Sequence, residues 1–283
     1  MKTNENIAIL INPKLSYNRA DKILNRLQKV LQQKNISFNV FIHPWPLEIN
    51  AYKEIWLIGG DGTINYLLNY YNPILIPIAV FKGGTGNDVA WKLYGDLSYE
   101  VHAELVLRAT AKPIDAAECN GRRFINGIGV GFDGEVLRSI NTVRLIGGHA
   151  GYLWVVLRKI FSFREHYFTL RYDNEIIKEK FLLVMITNSS RTGGGFMVSP
   201  EANLDDGKLN MILCKPLSIF KRLLNLPVIQ KGNHLDKNYI IHKLASKVVI
   251  ESEINLYAQI DGELIEGKTF EITVLPKHYI FKY

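Results

Sequence analysis

Apolar and polar positions along the first third of the chain follow two periods, one of strands and one of helices. Ile7 to Ile11 is a short apolar run that reads as a strand. Ala20 to Lys34 then puts Ile23, Leu24, Leu27, Val30 and Leu31 on one helical face, and Phe38 to Ile42 reads as the next strand, completing a βαβ unit. Two further apolar runs, Ile55 to Ile58 and Ile76 to Phe81, each end in a glycine-rich turn that opens a helical pattern. Residues 1–115 are therefore expected to form an α/β nucleotide-binding domain.

From about Lys112 the pattern changes to short strands. Asp115 to Cys119 and Arg123 to Ile128 flank Asn120-Gly121, a strong hairpin signal. Further strands are expected at Phe168 to Tyr172, Phe181 to Thr187, Lys208 to Cys214, Lys247 to Glu251, Asn255 to Ile260, Thr269 to Leu275 and Tyr279 to Lys282, with helices near Gly151 to Phe161 and Ser218 to Ile229. Residues 116–283 should thus form an antiparallel β-sandwich, its C-terminal strand free to return to the first domain. An exposed edge strand could pair two such sandwiches into a homodimer.

Composition narrows the class. A chain of 283 residues with 47% hydrophobic content can bury a substantial core. No apolar run approaches the ~20 residues of a spanning helix, and the polar start at Met1 to Asn6 lacks a signal-peptide pattern, so a cytoplasmic location is expected. Cys119 and Cys214 show no metal or redox spacing and read as core thiols. The formal charge of +7 favours an anionic partner without choosing among phosphate, membrane and nucleic acid.

The chemistry concentrates in the two glycine turns. In the first, Gly59-Gly60-Asp61-Gly62-Thr63 follows a strand, opens a helix and is succeeded by Asn65; in the second, Gly84-Thr85-Gly86-Asn87-Asp88 does the same one strand later. Glycine lets backbone approach a phosphate, and each helix start offers N–H groups and the positive end of its dipole. Asp61 could reach a metal ion or another charged group. Consecutive strand ends in a parallel sheet bring both turns to the ligand-binding edge, which Asn12-Pro13 after the first strand also faces.

These two turns resemble the diacylglycerol kinase catalytic family of bacterial lipid kinases, kin to sphingosine and ceramide kinases. Further signatures follow in family order: Asn126 before Gly131-Phe132-Asp133, Asn188 before Gly193-Gly194-Gly195-Phe196, Pro200, Ala202, Asp205-Asp206-Gly207 and Asp261-Gly262-Glu263. The resemblance implies transfer of the γ-phosphoryl group of ATP to a lipid hydroxyl. Asn12, Gly59, Gly60, Asp61, Gly62, Thr63, Asn65, Gly84, Thr85, Asn87 and Asp88 would bind the nucleotide, and Asp61 would help place ATP and Mg2+. A hydroxyl is a poor nucleophile, so a carboxylate must take its proton, and Glu263 or Asp261 is the candidate. A structural magnesium held partly by backbone carbonyls is implied at Asn203, Asp206 and Lys208. Partners are then a lipid alcohol at the membrane surface and the inner face of the membrane itself, with no nucleic acid. Val143 to Phe163, with Trp154 and Phe161 beside Arg158, Lys159 and Arg164, is a candidate membrane contact, packing against the sandwich being the other reading.

Three departures from the family pattern stand out. Lys82-Gly83 occupy the place where a proline commonly stands, the first turn reads Asn-Pro-Lys-Leu-Ser, and His43-Pro44-Trp45-Pro46 replaces a polar threonine near the second strand's end. Lys82 reads equally as a phosphate contact and as a solvated loop residue. The lipid itself stays open among diacylglycerol, monoacylglycerol, sphingoid bases, ceramide and polyprenols. Two other functions compete: NAD kinase-like phosphorylation of a soluble nucleotide, which shares the first glycine turn, and a non-catalytic lipid- or nucleotide-binding regulator. Two decoys are set aside. Gly262 to Thr269 matches the letters of a P-loop but leads into an alternating strand pattern, and Gly129 to Gly134 spells a dinucleotide fingerprint but is better taken as a turn bordering the cleft.

Overall fold

The computed structural model describes residues 4–142 and 148–283, and the chain divides into two compact units. The first comprises residues up to Ile114 together with Lys277–Tyr283, and the second is Asp115–Pro276.

Four strands of the first unit, β1 (Asn4–Ile11), β2 (Phe38–Phe41), β3 (Tyr52–Gly59) and β4 (Ile78–Lys82), run parallel in the order β2-β1-β3-β4. The middle strands carry continuous apolar runs because helices cover the sheet: Ile7 to Ile11 and Ile55 to Ile58 are fully buried. Those helices are α1 (Tyr17–Gln33), α2 (Asp61–Tyr70), α3 (Asp88–Tyr94) and α4 (Tyr99–Arg108). The sequence pattern missed α4, whose inward residues are His102, Ala103 and Val106 while Val101 and Leu105 are exposed. Trp45, from the His-Pro-Trp-Pro departure, is buried and donates its indole N–H to the Ile11 carbonyl at 3.2 Å, sealing the end of β1.

The second unit begins within β5 (Ala111–Cys119), which forms the expected hairpin with β6 (Arg122–Phe124) through Asn120 and Gly121, both at positive φ. Beyond it come β7 (Gly127–Gly131), α5 (Phe132–Thr142), α6 (Gly148–Ser162), β8 (His166–Tyr172), β9 (Glu175–Phe181), β10 (Leu183–Thr187), β11 (Leu209–Cys214), α7 (Ile219–Gln230), β12 (Ile240–Ala245), β13 (Lys247–Ile260) and β14 (Glu263–Lys282). The antiparallel order is β12-β11-β10-β7-β13-β14, with β9-β8 added to the first half of β13. A register shift between Glu251 and Leu256 bends β13, so its first half pairs with β8 and its second with β7. The two layers enclose one core of inward residues that includes Phe124, Phe168, Phe181, Met211 and Phe270.

Several expected boundaries change. Lys247 to Ile260 is one bent strand, and Glu263 to Lys282 is one long strand whose last residues belong to the first unit, where Phe281 pairs in parallel with Ile78. The single strand expected over Phe181 to Thr187 is two, divided at Leu182. Gly129 to Gly134 is not a turn: β7 runs directly into α5. The P-loop look-alike continues into β14, as its alternation required. Cys119 and Cys214 are both buried free thiols, pushed up to about 12 chiefly by burial.

Candidate active site

In the first unit the two glycine turns press together backbone to backbone. A Cβ on Gly60 would lie 2.7 Å from the Gly84 Cα, and one on Gly84 would lie 2.5 Å from the Gly60 Cα, so neither position admits a side chain. Gly60 caps α2, and the Thr63 hydroxyl accepts its N–H at 3.3 Å. The same Thr63 Oγ1 accepts the Asn12 side-chain amide at 2.8 Å, while Asn12 Oδ1 accepts the Lys14 N–H at 2.9 Å. Asn12 is thus a brace between the first strand end and the first glycine turn.

Asn87 shapes the second turn from a left-handed conformation (φ 53°). Its Oδ1 accepts the Gly84 N–H at 2.8 Å and its Nδ2 donates to the Gly84 carbonyl at 2.7 Å. Arg19, which sequence reasoning did not single out, donates to the same carbonyl at 3.1 Å. Its only signal was a cation in the helical turn after Asn-Pro.

Asp61, expected to help place ATP and metal, also joins the two turns. Its two carboxylate oxygens accept the Asp88 and Val89 N–H groups, each at 3.0 Å, tying the first turn to the start of α3. A carboxylate bonded in this way caps the start of α3, while the start of α2 carries its own N–H groups and the positive end of its dipole. Thr85 is exposed on the second turn, whereas Asp88 and Asn65 are buried, Asn65 accepting from the Asn69 amide. Lys82 follows neither of its two readings: its ammonium donates to the Gly95 carbonyl and to Asp96, at the far end of α3.

In the second unit, Asp261 (φ 47°) and Gly262 (φ 85°) form the two-residue turn between β13 and β14. The Asp261 carboxylate accepts three backbone N–H groups, from Ile125 at 2.9 Å and from Asn126 and Gly127 at 3.0 Å. It is buried, and it therefore corrects one expectation: Asp261 builds the turn and is not placed to accept a substrate proton. Glu263 differs. It is exposed, and among the described residues no hydrogen bond or ion pair is recorded for its carboxylate. Asn188 braces the same region, its amide donating to the Asp115 carbonyl at 2.9 Å and to the Ile125 carbonyl at 3.1 Å. Gln259, unremarked in the sequence, accepts the Gly262 N–H at 2.8 Å and hydrogen-bonds the Asp133 carboxyl.

At the implied structural metal site, Asp206 and Asn203 are exposed, and Asp206 Oδ1 accepts the Lys208 N–H at 2.9 Å. Gly207 donates its N–H to the buried Asp115 carboxylate at 2.6 Å, and the Lys208 ammonium donates to Ser246 at 3.2 Å. Among the described residues no cluster of three His, Cys, Asp or Glu side chains gathers anywhere. One exposed carboxylate with neighbouring carbonyls is nonetheless a hard-oxygen set of the kind magnesium takes with water completing its shell.

A family model described as the diacylglycerol kinase catalytic domain matches residues 6–119, and one described as the YegS C-terminal NAD kinase beta sandwich-like domain matches residues 126–280. The chain belongs to the diacylglycerol kinase family of YegS-like lipid kinases. It is 27% identical to the diacylglycerol kinase of Bacillus subtilis over 75% of this chain and 73% of that protein. To the "Probable lipid kinase YegS-like" of Shewanella frigidimarina it is 30% identical, over 77% of this chain and 72% of the other. In fold it is similar to a diacylglycerol kinase from Bacillus anthracis, at a TM-score of 0.74 and 22% identity over 99% of this chain and 97% of that one. An NAD kinase from Archaeoglobus fulgidus, solved in complex with ATP, is more distant at a TM-score of 0.58 and 15% identity, over 98% of this chain and 93% of that chain. Kinase membership implies ATP as the phosphoryl donor, and the family activity is transfer to a lipid hydroxyl rather than to a soluble nucleotide.

Proposed function

We propose that this kinase phosphorylates diacylglycerol or a closely related lipid alcohol, with Glu263 accepting the hydroxyl proton. The observation that carries the role of Glu263 is a contrast within one turn. Asp261 is buried under three N–H groups, while Glu263 two residues on is exposed and uncommitted among the described residues. A general base needs a carboxylate free to reach the reacting proton, and Glu263 meets that need where Asp261 does not. ATP would bind with its phosphates at the start of α2 and along the Gly84 to Asn87 turn, and Asn12 and Thr63 would keep that backbone in place. Magnesium bound with the nucleotide would neutralise charge on the phosphate oxygens. The choice of diacylglycerol rests on the names of the relatives.

A membrane surface would supply the lipid. Among the described residues no helix is long and apolar enough to cross a membrane. The expected contact segment is described only in part: Val143 to Gly147 and the side chains of Tyr152 and Leu153 lie outside the described residues. Its remainder, α6, exposes Trp154 (47%) and Phe161 (59%), with Arg158 over the Trp154 ring at 5.8 Å. The neighbouring α7 exposes Phe220 (70%) and Leu224 (57%) beside Lys221. Neither helix contains an acidic residue. Arg222 locks the two together by donating to the Ile160 and Phe163 carbonyls at 2.8 and 3.0 Å while pairing with Glu165. Exposed apolar side chains beside Arg158 and Lys221 suit an anionic lipid surface.

Transfer of labelled γ-phosphate from Mg·ATP to detergent-dispersed diacylglycerol, monoacylglycerol, sphingoid base, ceramide and polyprenol, with NAD as a soluble control, tests the substrate. Label in diacylglycerol is expected, and label confined to another member of the panel would refute that choice.

A further inference from the structure

We propose that Asp133 is a positioning residue for phosphoryl transfer, acting through Gln259 to hold the turn that presents Glu263. This rests on the reading of Glu263 as the proton acceptor. The two ends of the Gln259 amide have different partners: its Oε1 accepts the Gly262 N–H at 2.8 Å, and its other end meets the Asp133 carboxyl. A carboxylate only accepts hydrogen bonds, so Asp133 dictates that the Gln259 NH2 faces it and the carbonyl oxygen faces Gly262. Without that acceptor the amide is free to turn over and present its NH2 to the Gly262 N–H, donor against donor.

The surrounding backbone is shaped for this contact. Gln259 on β13 stands opposite Gly129 on β7, and a Cβ at Gly129 would fall 2.2 Å from Asp133 Oδ2. The Asp133 carboxyl therefore fills the space that a side chain at Gly129 would take. Gly134, one residue on, brings the first turn of α5 against the Tyr257 carbonyl, where a Cβ would lie 2.1 Å away. The glycines that spell a dinucleotide fingerprint serve here to seat an aspartate under the turn between β13 and β14.

Asp133 is also costly to keep. Its Oδ2 is sealed from solvent with no hydrogen-bond partner, and among the described residues no ion pair reaches it. Burial pushes its pKa from the ordinary 3.8 to about 6, with the Gln259 hydrogen bond opposing. A folded-state pKa above the unfolded one means that the charged form, present above pH 6, destabilises the fold.

The test measures kcat, KM and Tm at pH 7.5 for Asp133→Asn, Gln259→Leu and the double variant. Asp133→Asn should lower kcat roughly tenfold with KM for ATP and lipid within about twofold, while Tm rises by roughly 5 °C. Gln259→Leu should lower kcat further, and the double variant should match Gln259→Leu alone, because the two residues act in series. A lower Tm with unchanged kcat in Asp133→Asn, or kcat losses that multiply in the double variant, would overturn the proposal. Glu263→Gln, run in parallel, separates the two claims. Wild-type kcat there refutes the base reading, whereas the coupling of Asp133 to Gln259 is decided by the double variant.

Discussion

Replacing Asp61 by alanine distinguishes a structural carboxylate from a metal ligand. Its two oxygens each accept an N–H of α3 at 3.0 Å, and α3 has no side-chain cap from its own Asn87. A hydrogen bond to a charged group contributes about 1.5 to 3 kcal/mol, and water can replace part of it at this half-buried position, so losing both should cost about 3 kcal/mol. That corresponds to a fall in Tm of about 10 °C for a unit of this size. Asp61→Asn keeps one acceptor and should lose about half as much. The second glycine turn would loosen with α3, so ATP affinity should fall alongside stability. Thermal denaturation paired with calorimetric ATP binding at several magnesium concentrations reads both quantities. A wild-type Tm combined with a steeper magnesium requirement would refute this reasoning and return Asp61 to the metal.

Two other outcomes follow from the first unit. Gly84→Ala puts a Cβ 2.5 Å from the Gly60 Cα, where only backbone could yield, so it should cost about 1 to 3 kcal/mol in strain and weaken ATP binding at least tenfold; an unchanged ATP Kd by calorimetry would count against the back-to-back turns. His102 is buried against Tyr94 and Phe81, and burial, followed by the Lys82 charge, lowers its pKa to about 4. The unfolded chain takes up this proton near pH 6.5 and the folded one does not, so stability is full above pH 6.5 and declines toward pH 4, by up to about 3 kcal/mol. Urea denaturation between pH 7.5 and pH 5 should show that slope, and His102→Gln should flatten it.

The parallel strands and both glycine turns were legible because buried strands read as continuous apolar runs and glycine marks the turns that follow. Elements with little burial were not. β9 is largely exposed along Glu175 to Lys180 and, among the described residues, pairs with β8 alone, so it has no apolar alternation to detect. α4 hides a histidine on its inner face, which weakens its helical period. The site shows the same division. Asp61 and Asp261 are conspicuous in sequence, yet what they bind lies far along the chain: Asp61 reaches N–H groups near residue 88, and Asp261 reaches those at 125 to 127. Local spacing carries no record of such bonds, so the structural part each residue plays appears only when its partners are placed. Glu263 drew the same attention, and its carboxylate remains available because its turn is fastened by its neighbours.

The central claim is that a lipid hydroxyl loses its proton to Glu263 as it receives phosphate. Single-turnover transfer from labelled Mg·ATP to diacylglycerol vesicles, wild type against Glu263→Gln, measures that step directly. The account predicts a rate lower by about 10² to 10⁴ with ATP affinity unchanged. A Glu263→Gln rate close to wild type would contradict it.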